Sequence, residues 1–161
     1  MAGAASLGPL LTAVSERARA AAVFEEVAVR GGRLECKARG AAAPASYRLE
    51  SEGGRLWVSL VMADRWLSES IEADLMHTGD KLEELIEEEL VELGCTAPKV
   101  QFEHFRSEDK LFTFRSLVDA VVPSLGGGAG DGALRDAGAA LLLAYEACFR
   151  NLGDMSVGEG A

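Results

Sequence analysis

The chain has 161 residues, 48% of them hydrophobic and 26% charged, a composition that suits one globular domain with a real core. Its 26 acidic and 16 basic residues leave a formal charge of −10, and the basic residues are scattered instead of forming a stripe, so a phosphate backbone is not the expected partner. The opening MAGAASLGPLLTAV lacks a basic start, and no stretch approaches the roughly 20 apolar residues of a membrane span, so a cytoplasmic protein without membrane contact is expected.

Residues 7–22 read as a helix, with Leu10, Leu11, Val14, Ala18 and Ala21 on one stripe and Ser6 as its cap. Two Gly-Gly pairs follow, at Gly31-Gly32 and Gly53-Gly54, each between alternating runs. Both central positions of a type I′ turn need positive φ, so each pair predicts a hairpin. A two-residue loop at the first sets Val29 opposite Leu34, Val27 opposite Cys36 and Glu26 opposite Lys37. At the second, Ser51 meets Leu56, Leu49 meets Val58 and Tyr47 meets Leu60, with Trp57 and Val61 on the reverse face of a strand expected to be covered on both sides.

Residues 65–76, RWLSESIEADLM, fit two periods. Leu67, Ile71 and Leu75 are spaced for a helix, whereas Ser68, Ser70, Glu72 and Asp74 alternate as in a strand, and the strand is the slightly favoured reading. Thr78 or Asp80 caps a following acidic helix, KLEELIEEELVEL, which Gly94 ends. The stretch FEHFRSEDKLFTFRS then predicts a third hairpin. A three-residue loop of Ser107, Glu108 and Asp109 sets His104 opposite Phe112 and Phe102 opposite Phe114, leaving Phe105 and Leu111 as the apolar pair of the other face. Another loop of odd length keeps the same faces. Residues 126–132 read as a glycine-rich linker, 133–150 as a last helix, and 154–161 as a flexible tail beyond a single domain of residues 1–153.

Few residues invite chemistry. Glu89 falls within the apolar stripe of the acidic helix, where a carboxylate needs a partner: an arginine, a protonated His104 or a metal, unless that helix end leaves it in water. His104 itself reads as a half-buried histidine bonded through one nitrogen, or as a base paired with Glu89. Asp74, His77 and Asp80 recur at intervals of three, a spacing for a metal on one helical face, although turn and cap roles explain them as well. Cys36, Cys95 and Cys148 are odd in number and lack zinc spacing, so they read as free thiols. No cofactor is implied.

The order of helix, hairpins, acidic helix, aromatic hairpin and terminal helix makes an α+β domain, an antiparallel sheet packed with an N-terminal, a central acidic and a C-terminal helix. In layout, size and acidity it resembles the class I type III secretion chaperones and the bacterial sensory-transduction-regulator family, with extra strand segments at 24–30 and 65–73. The resemblance implies a non-enzymatic dimer that binds a segment of another protein. The expectation is thus a chaperone- or adaptor-like protein-binding module that self-associates. Its surface is built from Phe105, Leu111, Trp57 and Trp66, since exposed aromatics anchor interfaces. The competing expectation is a small metal- or ligand-binding enzyme using Glu89, His104 and His77.

Overall fold

A computed structural model describes residues 4–126 and 131–156. Helix α1 (Ala4–Ala21) leads into strands β1 (Glu26–Arg30), β2 (Arg33–Lys37), β3 (Ala45–Glu52) and β4 (Arg55–Met62). Helices α2 (Arg65–Thr78) and α3 (Leu82–Glu92) follow, then β5 (Glu103–Arg106) and β6 (Phe112–Leu117), two short 3-10 turns, and α4 (Asp131–Phe149). The strands form one antiparallel six-stranded sheet in the order β1-β2-β3-β4-β6-β5. The α+β class and its hairpin sheet stand as expected from the sequence.

Both glycine turns hold their expected register. Val29 faces Leu34 and Val27 faces Cys36 in the first hairpin, and Leu49 faces Val58 and Tyr47 faces Leu60 in the second. Gly53 and Gly54 have φ of 63° and 77°, a left-handed pair that a side chain would strain. The third hairpin keeps the expected faces but centres one residue later: His104 faces Phe114 and Arg106 faces Phe112. Lys110 takes the left-handed conformation at φ 62°, and Ser107 closes the loop, its N–H donating to Leu111 O at 2.9 Å and its Oγ accepting from Leu111 N at 3.2 Å. The loop is therefore Glu108–Asp109–Lys110. A shift of the loop centre by one residue moves each pairing by two, so every side chain stays on its face.

Residues 65–76 are helical, not a strand. Asp64 Oδ1 accepts from Leu67 N at 2.8 Å as the N-cap, Leu67, Ser68 and Ile71 are buried on one side, and Gly79 ends the helix at φ 77°. The cap and the 3.6-residue burial outweigh the polar alternation, because Ser70 turns its hydroxyl back to Leu67 O and needs no strand face. The chain's end is stapled to this helix: Gly153 N donates to Asp74 Oδ2 and Asp154 N to Ser70 Oγ. A Cβ on Gly153 would fall 2.5 Å from Ser70 Oγ and 2.6 Å from Ile71 N, so only glycine permits this approach. The ordered chain thus continues past 153, with Met155 in the core, and residues 157–161 of the expected tail lie outside the described residues.

Smaller corrections concern helix ends. α1 already begins at Ala4, which places Ser6 inside it. Lys81 is the N-cap of α3 and supplies no side-chain hydrogen bond to it, while Thr78 Oγ1 accepts from Asp80 N. Gly132 belongs to α4, and residues 127–130 of the expected linker lie outside the described residues.

The helices cover one face of the sheet. Leu34, Tyr47, Leu49, Val58, Leu60 and Phe114 meet Val14, Leu141, Tyr145 and Phe149 of α1 and α4 there. Phe114 lies 5.1 Å from Phe149, and each ring so buried contributes about 2–3 kcal/mol. Ser116 Oγ meets Tyr145 Oη at 2.6 Å and donates to Gln101 O, so these two hydroxyls in the apolar layer are paired. β4 is central and covered on both sides, as expected: on its reverse face Ser59 and Val61 are buried, and side chains of the sheet itself provide the cover.

Candidate functional site

The reverse face is ordered by register. Reading across the strands, Glu35 of β2 faces Arg48 of β3, Arg48 faces Ser59 of β4, Ser59 faces Arg115 of β6, and Arg115 faces Glu103 of β5. A Glu-Arg-Ser-Arg-Glu row therefore crosses five strands with the serine at its centre. Directly opposed side chains sit about 4.5–5.5 Å apart at Cβ, close enough for each guanidinium to meet its outer glutamate. Arg48 Nε donates to Glu35 Oε2 at 3.1 Å, and Arg115 Nε donates to Glu103 Oε1 at 3.0 Å. Arg115 also reaches Glu52 Oε1 at 2.6 Å and lies 3.8 Å above the Trp57 ring and 4.9 Å from that of Phe105. Its guanidinium is held by two carboxylates and two aromatic faces, and these hydrogen bonds keep its pKa above the usual arginine value against the opposing pull of burial.

These side chains line a cleft of about 100 Å³ in which Trp57, Phe105 and Leu111 come together with Arg48, Ser59, Thr113 and Arg115. Its lining comes from strands and turns alone. Ser59 is only 4% exposed, and among the described residues its Oγ is the one buried side-chain nitrogen or oxygen without a hydrogen-bond partner. Three of the four expected surface residues thus share one site. The fourth, Trp66, projects from α2 elsewhere and is 75% exposed. Ser59 and Arg48 escaped the sequence reading although the Gly53-Gly54 register already set them opposite each other beside Trp57. Arg115 joins them only through the β4–β6 pairing, which no local pattern announces.

His104 faces the other way, and its carboxylate is not Glu89. The imidazole stacks on Phe114 at 3.8 Å, its Nε2 is 3.4 Å from Ser68 Oγ, and its Nδ1 is 3.7 Å from Glu72 Oε1. The sequence pairing fails because α2 is a helix, whose Ser68 and Glu72 occupy the side of β5 assigned to α3. His104 is a tie between β5 and α2. Burial lowers its pKa, partly offset by Glu72. Glu89 instead lines a separate cleft with Asp74, Asp80, Glu88 and Cys148. Burial, with Glu89 and Glu88 adding to it, pushes the Cys148 thiol up to about 12, and burial pushes Cys36 to about 12, so both are protonated at neutral pH. Asp74 binds the backbone at Gly153, exposed His77 lies in the last turn of α2, and Asp80 lies past the left-handed Gly79, so their shared helical face is broken. Among the described residues, no group of three His, Cys, Asp or Glu side chains could hold a metal.

Two outcomes follow from these environments. A buried hydroxyl without a partner costs on the order of 1–3 kcal/mol, so Ser59→Ala is expected to raise the unfolding free energy in urea by about 1 kcal/mol; a comparable loss would mean the hydroxyl is satisfied. For His104 the folded pKa lies below the ordinary 6.5, so the unfolded chain takes up the proton first as pH falls. Stability is present above the unfolded value and is lost as pH drops through the folded one. Between about pH 7 and pH 5 the urea midpoint of the wild type should fall more than that of His104→Phe, and parallel profiles would refute the assignment.

Among known proteins, the chain matches no family model, no curated protein and no solved structure.

Proposed function

We propose that the chain is a non-enzymatic protein-binding module, adaptor- or chaperone-like, that docks a protein segment on the open face of its sheet. The observation that carries this reading is the convergence of Trp57, Phe105 and Leu111, from separate parts of the sequence, on a cleft that no described helix lines. At about 100 Å³ the cleft suits one side chain of a partner. Rigid aromatic residues around a concave centre are the usual anchors of interfaces. The His104 environment, a tie between two elements, and the protonated Cys36 and Cys148 thiols favour binding over catalysis. The resemblance in layout to type III secretion chaperones supports the same role.

The module also self-associates, in this reading, through α2. Trp66 and Met76 are 75% and 84% exposed on that helix, two large apolar side chains that water covers at a cost, with the charged Glu69 between them. Three free, buried cysteines fit a cytoplasmic setting. No helix among the described residues is long and apolar enough to cross a membrane.

Randomised peptides selected on the immobilised protein should converge on a consensus that binds at least about tenfold more weakly to Phe105→Ser, with circular dichroism unchanged. Equal binding by both proteins would rule out this face. In sedimentation velocity the wild type should run as a dimer and Trp66→Ser as a monomer; a monomeric wild type would remove α2 as an interface.

A further inference from the structure

The row across the open face carries an unequal supply of hydrogen-bond donors. Arg115 is spent: its Nε and Nη2 engage Glu103, its Nη1 engages Glu52, and two rings clamp its faces. Arg48 is held by less: its Nε donates to Glu35, and among the described residues no second acidic side chain pairs with it. Its side chain is nonetheless just 17% exposed. Directly opposite stands Ser59, whose buried hydroxyl has no partner. The cleft floor thus offers a partly desolvated guanidinium fork beside a free hydroxyl, with ring faces along the walls.

We infer that this floor seats a carboxylate, the acidic side chain of the protein segment that docks on the face. The inference rests on the reading of that face as a docking surface. A carboxylate is planar and presents two oxygens at the spacing of a guanidinium edge, so it takes two parallel N–H bonds from Arg48 and leaves a lone pair for Ser59. Its methylene stem lies against Trp57 and Phe105. A phosphate fits worse, because Glu50, Glu52 and Asp109 line the same cleft and repel a dianion more strongly than a monoanion. The net charge of −10 does not override this, since exposed charges beyond about 8 Å are screened at physiological salt while contact bonds in the cleft are not. It does mean that binding gains nothing from long-range steering.

The chain has two tryptophans, so in Trp66→Phe the fluorescence reports Trp57 alone, the ring beneath Arg115. N-acetyl-aspartate N-methylamide titrated into that protein should give a saturable change. The asparagine counterpart and inorganic phosphate should each bind at least about tenfold more weakly. Arg48→Lys keeps the charge but loses the fork, and it should weaken the acid by a similar factor, as should Ser59→Ala. The seat is overturned if the acid and the amide respond alike, if phosphate binds more tightly, if Arg48→Lys changes nothing, or if no saturation exceeds a sodium chloride control. The selected peptides separate the two ideas. Peptides that bind without an acidic residue and ignore Arg48→Lys overturn the seat and leave the docking face standing. A seat that takes the small acid on a face that selects no peptide overturns the docking face, and with it the protein source of the carboxylate.

Discussion

The architecture depends on the burial of one side of β4 beneath α4. Leu56, Val58, Leu60 and Met62 point into that layer, and strand alternation then forces Trp57, Ser59 and Val61 onto the opposite side. The described helices pack on the first side, so the second must be shielded by side chains already in the sheet. Arginine suits the task, because its stem covers apolar surface while its head reaches a carboxylate at the rim. Arg48 and Arg115 flank β4 in this way, and their side chains are less than a fifth exposed. The consequence is a face that is paired in charge at its periphery and polar, but unsatisfied, at its centre.

The sheet's edges direct where a partner can go. β1 has five residues and β5 four, with Glu26 and Arg30 on the one and Glu103 and Arg106 on the other. Short, charged edges discourage strand addition, the other common way in which a sheet captures an extended segment. The concave face has what the edges lack: aromatic surface, depth and an unspent hydrogen-bonding group.

Much of this was legible in the sequence wherever structure is local. The Gly-Gly turns fixed two registers because a two-residue loop leaves no freedom, and they placed Trp57 and Val61 together with Ser59 and Arg48. The aromatic hairpin was legible as to faces but not partners, since parity survives a shift of the loop centre and nothing in SEDK says which residue will turn left-handed. Arg65–Thr78 was misread because serine serves both periods: the alternation of Ser68, Ser70 and Glu72 mimicked a strand, and the decisive Asp64 cap lay outside the pattern. The expected Glu89–His104 pair failed for a related reason. Its geometry depends on which helix packs beneath β5, and a strand at residues 65–76 leaves α2 out of that choice. Trp57, Phe105 and Leu111 were each marked as surface, whereas their convergence needs the β4–β6 pairing across more than fifty residues.

β5 joins the two halves of the molecule. It is an edge strand of four residues with β6 as its one neighbour, so half of its backbone groups have no ladder partner. Side chains supply the missing hold on alternate faces. His104 reaches Ser68 and Glu72 of α2, while Glu103 and Phe105 grip Arg115 on the open side. A strand held in this way belongs to the less stable end of a structure, and a change that releases one face shifts the other. The wall of the cleft is therefore only as firm as the tie to α2, and the protonation of one histidine beneath the sheet bears on the shape of the surface above it.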